Sequence, residues 1–261
     1  MDPWLTVLSA LGLLLAAVLI WFALVVRSTE YTPLQTFFWL FAKFYTRVMW
    51  RMRVEGTFPL DGGGNAVVIC NHRSSVDPFF VQVASKRVIR WMVAREYCEH
   101  PILGPLLSIA CVIPVNRGGV DTASTKAAIR VVAEGGMVGM LPEGRINVSD
   151  NFMNPVRPGA IIVALKGRSP IVPCYIENAP YGGKVWSPFV MRTRSRIKFG
   201  PPIDLTPYYG QEKDDELVRR LAIECVTAIA RLAGRDDFVP ELAGRKWKTA
   251  ATDESATPET T

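Results

Sequence analysis

The stretch Ala66-Val67-Val68-Ile69-Cys70-Asn71-His72-Arg73-Ser74-Ser75-Val76-Asp77-Pro78 decides how this chain is read. Its first five residues are apolar and largely β-branched, a pattern that predicts a buried strand. A polar turn follows, and Asp77-Pro78 opens a helix over 77–85, since proline fits the first helical turn. In open α/β sheets ligands bind beyond the carboxyl ends of strands. His72 therefore stands where a base is useful. Asp77 lies five residues on, and the turn can fold its carboxylate back onto one imidazole nitrogen, leaving the other to take a proton. By spacing alone the pair is also compatible with chance, and Asp77 with an ordinary helix cap.

Working outward, short apolar runs at 90–94, 111–115, 137–141 and 171–176 predict further strands. Helical stretches at 101–110, 121–134, 160–165 and 214–233 separate or follow them. This alternation predicts an α/β domain, and no linker interrupts residues 55–240. In 190–199, Arg192, Arg194, Arg196 and Lys198 share one face of an alternating run. That face is either the solvated side of an edge strand or a strip facing phosphate or membrane. Residues 241–261, ending in Ala, Thr, Ser, Glu and Pro, predict a flexible tail.

Upstream, Trp4–Val26 carries no charge and as a helix would reach about 34 Å, enough for a hydrocarbon core of about 30 Å. It is expected to be an uncleaved membrane helix within 1–28. Residues 29–54 follow as an aromatic-rich amphipathic helix suited to the headgroup region. Arg27, Lys43, Arg47, Arg51 and Arg53 outnumber Glu30 and Glu55, which places the α/β domain on the cytoplasmic side of the inner membrane. Apolar residues form 49% of the chain and charged ones 21%, too apolar for a disordered protein. The net charge of +6 is too mild to argue for nucleic-acid binding. Five cysteines without a CxxC pair read as small buried hydrophobes in a reducing compartment.

Two more strand ends carry candidates. Val115-Asn116-Arg117-Gly118-Gly119 presents an arginine able to grip a phosphate bidentately. Met140-Leu141-Pro142-Glu143-Gly144-Arg145 presents Glu143 and Arg145, either to orient an acceptor headgroup or, for Glu143, to anchor the loop through backbone N–H groups. A metal site from Cys70, His72 and Asp77 is disfavoured by their crowding and by the lack of a closing histidine. A serine hydrolase is disfavoured because no Gly-x-Ser-x-Gly elbow occurs and Ser74 and Ser75 adjoin His72.

Taken in order, residues 71–78, Ile113-Pro114-Val115-Asn116-Arg117, Leu141-Pro142-Glu143-Gly144-Arg145 and Ile171-Val172-Pro173-Cys174-Tyr175 resemble the four blocks of the glycerophospholipid acyltransferase family. One departure is Glu143-Gly144-Arg145, where many members insert a threonine before the arginine. The resemblance implies a single mixed-sheet acyltransferase-like α/β domain behind the two N-terminal helices. It also implies transfer of a fatty acyl group from acyl-CoA or acyl carrier protein, as co-substrate, to the hydroxyl of a lysophospholipid, with 1-acyl-glycerol-3-phosphate the first choice. Glycerol-3-phosphate, another lysolipid, or a non-catalytic membrane-tethered lipid-binding role are the alternatives. By the same resemblance His72 and Asp77 form the catalytic pair, and Arg117, Glu143 and Gly144 serve the phosphate-bearing acceptor, with Arg145 beside them. No metal or other cofactor is expected.

Overall fold

The computed structural model describes residues 3–116 and 121–243. The chain opens with α1 (Pro3–Arg27), which has no buried residue, and α2 (Pro33–Met49), started by a capping box between Thr32 and Gln35. Next come β1 (Arg53–Glu55), β2 (Ala66–Cys70), α3 (Asp77–Ala84), β3 (Ile89–Ala94), α4 (Arg95–Cys98) and α5 (Leu103–Ile109). The remainder is β4 (Ile113–Val115), α6 (Thr122–Ala133), β5 (Met137–Met140), α7 (Gly159–Gly167), β6 (Ile171–Glu177), β7 (Arg196–Phe199) and α8 (Asp215–Leu232).

Seven strands form one mixed sheet in the order β1-β7-β6-β2-β5-β3-β4, antiparallel only between β6 and β7. β2 lies at its centre, with Ala66 beside Met137 of β5 and Cys70 beside Cys174 of β6. All five of its residues are buried, because helices cover both faces. Val67 and Ile69 pack toward α6, α7 and α8. Ala66, Val68 and Cys70 pack toward Phe80 of α3, Trp50 and Trp91. A central parallel strand covered on both sides needs an unbroken apolar run, and AVVIC supplies one.

α2 lies against the second of these faces. Thr36, Trp39 and Thr46 are its buried residues, and the Trp39 indole donates to the Ser85 carbonyl at 3.1 Å. Its opposite face is apolar: Leu34, Phe37, Phe41, Phe44 and Val48 are each more than half exposed. The mixed α/β sheet domain and a single N-terminal apolar helix are thus as expected.

Several local expectations change. The sheet begins at Arg53, inside the segment 29–54 assigned to the amphipathic helix. The run 190–199 is a strand only from Arg196, since Ser187–Val190 forms a 3₁₀ turn and Ser195 N–H donates to the Trp50 carbonyl at 3.0 Å. β7 is also no edge strand, because β1 covers it. Its basic face is bridged by Arg196 to Glu55 and Glu177, at 3.7 Å each, and by Lys198 to Glu55 at 3.6 Å. At the end of the domain, Leu242 bridges Val156, and the rest of the tail expected over 241–261 lies outside the described residues from position 244. Cys98 and Cys111 are only partly buried, unlike Cys70, Cys174 and Cys225.

Between β5 and β3 the Trp91 indole lies over Gly139, where an added Cβ would come within 2.3 Å of the ring. Gly139→Ala must displace that buried ring, at a cost of about 1–3 kcal/mol. Thermal unfolding followed by tryptophan fluorescence checks this; an unchanged midpoint would show that the ring has room to move.

Candidate active site

The turn after β2 is fixed before any functional side chain is considered. The Asn71 side chain extends the sheet, its Nδ2 donating to the Ile176 carbonyl at 2.9 Å and its Oδ1 accepting from Ile176 N–H at 2.8 Å. The Ser74 hydroxyl donates to the Pro180 carbonyl, and that of Ser75 to the Val185 carbonyl at 2.9 Å. A short polar turn at a buried strand end needs such partners for its groups.

Asp77 is wholly buried. Its Oδ2 accepts from His72 Nδ1 at 2.9 Å, from Arg73 N–H at 2.7 Å and from Ser74 N–H at 2.8 Å. Asp77 is therefore more than a helix start: no side chain caps α3, and the carboxylate turns back into the loop. Three donors on one oxygen fit an ionised carboxylate. Facing such a carboxylate, Nδ1 carries the proton and Nε2 is left as the acceptor, a tautomer assigned from the hydrogen-bond network. Only 13% of the imidazole surface is exposed, so the ring is largely walled in.

Of the two roles read for Glu143 from the sequence, the geometry matches the loop anchor. The side chain is fully buried, with Oε1 accepting from His72 N–H and Oε2 from Asn154 N–H, both at 2.7 Å. With both oxygens accepting from backbone amides it anchors the loop. Asn147 N–H in turn donates to the His72 carbonyl at 2.7 Å. The segment after β5 thus holds both backbone groups of His72. Burial, the dominant influence, pushes the Glu143 carboxyl up to about 7 against the pull of these amides.

Gly144 is exposed with φ +69°, a left-handed geometry that glycine accepts without strain. An added Cβ there would meet Arg157 at 3.8 Å. Arg145 is exposed, and Arg157 is held below the usual guanidinium range by burial and then by Arg145. The two guanidinium groups therefore share one neighbourhood beside the 142–145 loop. Arg157 N–H ties back to the Pro142 carbonyl at 2.9 Å. Arg117 lies outside the described residues. Its predecessor Asn116 is held by Asp121, whose Oδ2 accepts from Asn116 N–H at 2.8 Å.

The sequence reading missed Arg73 and Arg157. The Arg73 guanidinium donates to the carbonyls of Asn147 (3.2 Å), Ser149 (2.6 Å) and Asn151 (3.4 Å), pinning the loop that reaches His72. Arg157 had a faint signal, a basic residue directly before the Pro158-Gly159 helix start.

The raised Glu143 value has a defined sign. Between about pH 4.5 and about pH 7 the folded state holds a proton that the unfolded state has released. Stability therefore falls as pH rises through that window, by up to ~3 kcal/mol. Glu143→Gln removes this slope and adds a pH-independent loss of about 1–3 kcal/mol, because an amide NH₂ then faces a backbone N–H. Unfolding midpoints of both proteins across the window test it; parallel curves would exclude Glu143 as the titrating group.

Comparisons with known proteins bear on this site. A family model described as Acyltransferase matches residues 51–177. A 1-acyl-sn-glycerol-3-phosphate acyltransferase of Limnanthes alba is 30% identical over 60% of this chain and 56% of its own length. The chain thus matches little more than half of that relative. One of the same description from Bacillus subtilis (strain 168) is 30% identical over 56% of this chain and 69% of its own length. The crystal structure of the 1-acyl-sn-glycerophosphate (LPA) acyltransferase, PlsC, from Thermotoga maritima covers 72% of this chain and 76% of its own. Its TM-score is 0.59 at 18% identity, which shows a shared fold. Together with the strand-end motifs around His72 and Glu143, these matches show that the chain belongs to the acyltransferase family.

Proposed function

We propose that this protein transfers a fatty acyl group from an acyl thioester, acyl-CoA or acyl carrier protein, to the free hydroxyl of 1-acyl-glycerol-3-phosphate, giving phosphatidic acid. The observation that carries this reading is the His72–Asp77 pair at the carboxyl end of the central strand, with Nε2 as the available acceptor. Family membership and the descriptions of the relatives support the substrate class.

In the proposed reaction the acceptor hydroxyl gives its proton to His72 Nε2 as its oxygen attacks the thioester carbonyl. A C–O bond forms, the C–S bond breaks, and the proton passes on to the departing sulfur. A thioester already has a good leaving group, so the enzyme supplies a base, alignment and charge stabilisation. Asp77 steadies the imidazolium, and Glu143 acts only through the His72 backbone. Arg117, with Arg145 and the open backbone at Gly144, holds the acceptor phosphate.

Both acceptor and product reside in lipid, and the two N-terminal helices suit that. The most apolar 18 residues of α1 have mean hydropathy 2.7, and none of them is buried in the protein. The exposed aromatic stripe of α2 is the face expected to rest among headgroups, with the α/β domain on the cytoplasmic side.

His72→Ala is expected to lower turnover by roughly 10²–10⁴-fold while the protein stays folded, because the His72 backbone bonds survive. Product formation from a panel of lysolipids and both donor types measures it. Near wild-type turnover removes the base, and absence of transfer by the wild-type chain overturns the reading. Arg117→Ala is expected to raise the KM for a phosphorylated acceptor about tenfold or more with kcat little changed. An unchanged KM would release Arg117 from the phosphate.

A further inference from the structure

His72 marks the edge where the parallel strands end. The opposite edge, where they begin, carries a separate charged cleft. Gly62 and Gly63 precede β2, Lys86 and Arg87 precede β3, and residues 27–30 leave the end of α1. With Asp61 these residues line an opening of about 250 Å³. The span of β2 places it on the order of 15–20 Å from the His72 turn. Its volume lies below the usual range of roughly 300–1,000 Å³ for small-molecule sites and suits a headgroup fragment better than a coenzyme.

Charge within the cleft is unevenly satisfied. Arg87 is almost wholly buried and engaged: its Nε lies 2.5 Å from Glu30 Oε1, and its other nitrogens reach the carbonyls of Leu60, Gly64 and Gly135. Glu30 is thereby neutralised. Asp61 Oδ1 accepts from Lys86 N–H at 2.8 Å and from the Ser85 hydroxyl at 3.3 Å. The side-chain cations of Arg27 and Lys86 are exposed and have no ion pair among the described residues. A third cation stands close by: the Lys43 ammonium lies 4.2 Å from the Trp39 ring centroid and is held below its usual range by burial and then by Lys86. Against the one carboxylate there without a cation partner among the described residues, Asp61, the cations of Arg27, Lys86 and Lys43 leave a net positive field that an anion relieves.

The position of Arg27 says where such an anion comes from. It ends a 25-residue apolar helix none of whose residues is buried, so on the membrane reading above it stands where acyl chains give way to phosphates. We propose that the cleft binds the phosphate of a membrane glycerophospholipid, clasped between Arg27 and Lys86 with Lys43 beside them. The site is distinct from the acceptor site and fastens the α/β domain to the bilayer at the edge remote from His72. The phosphate chemistry rests on the cleft alone; only the lipid source rests on the reading of α1.

The test uses the full chain in detergent, with phosphatidylglycerol binding followed by native mass spectrometry. The double variant Arg27→Gln/Lys86→Gln is expected to weaken binding by about tenfold or more. Arg219→Gln on α8 is expected to leave it unchanged, and excess inorganic phosphate not to displace the lipid. Equal binding by the double variant and wild type, or an equal loss in Arg219→Gln, overturns the site. Displacement by inorganic phosphate at matched occupancy overturns the lipid source while upholding the phosphate chemistry. Flotation with phosphatidylglycerol vesicles is read separately. Wild type and double variant are both expected to float, and failure of the wild type to do so overturns the membrane reading of α1.

Discussion

The geometry of the candidate site depends on one buried oxygen. Asp77 Oδ2 gathers the imidazole Nδ1 and two successive backbone amides of the 71–77 turn, so turn, ring and helix start are held by a single acceptor. A carboxylate without exposure is costly unless its desolvation is offset by strong donors, and charge-assisted bonds at 2.7–2.9 Å are of that kind. Its other oxygen, Oδ1, is buried without a partner among the described residues. The strength of the arrangement is therefore concentrated on one side, which faces the histidine. Removing this carboxylate would release the turn as well as the ring, so an Asp77 substitution reports on both together. His72 is the position where chemistry and scaffold separate.

A second buried carboxylate, Glu143, works on the same histidine from the opposite direction. Asp77 holds the ring, whereas Glu143 holds the backbone N–H and Asn147 the backbone carbonyl. Asp77 is close enough to raise the cost of ionising Glu143, a contribution behind the larger one from burial. The arrangement keeps the second acid out of solvent. Its other partner, Asn154, lies in the segment bearing Val156 and Arg157, and the bridge from Val156 to Leu242 ties that segment to the chain after α8. Positioning of the candidate base thus reaches from the centre of the sheet to its last described residues.

What could be read from the sequence was what is local. The strand 66–70, the turn and the helix at Asp77 adjoin one another, so the His72–Asp77 pair required only that the turn fold back. The direction of Glu143 was not local. Whether it reaches an acceptor or a backbone amide depends on the register of β2 against β5, which pairs Ile69 with Met140 and brings the two following loops together. The run 190–199 misled for a related reason. Its alternation is real in burial, with Arg192, Arg194 and Arg196 exposed and Ser195 and Ile197 buried, yet strand pairing with β6 and β1 begins only at Arg196. Three strand residues at 53–55 were equally hard to see, being too short and too charged for any periodicity, and they form only because β7 offers them an edge.

The polarity of α2 ties these parts together. A helix on a water-facing domain turns its apolar side inward, but α2 buries Thr36, Trp39 and Thr46 and exposes Leu34, Phe37, Phe41, Phe44 and Val48. It can do so because Trp39 and Tyr31 bring polar atoms to the carbonyls around Ser85, so the inward face is held by hydrogen bonds as well as by packing. The outward face then remains a stripe of exposed apolar side chains, which water disfavours and an acyl–headgroup boundary accepts. On the membrane reading, the stripe, the exposed length of α1 and the unpaired cations of Arg27 and Lys86 all present themselves to the same bilayer. On the same reading, a sheet held in this way would keep its strand ends, and with them His72, at a fixed height above the lipid, where the hydroxyl of the proposed acceptor lies just beyond its acyl chain.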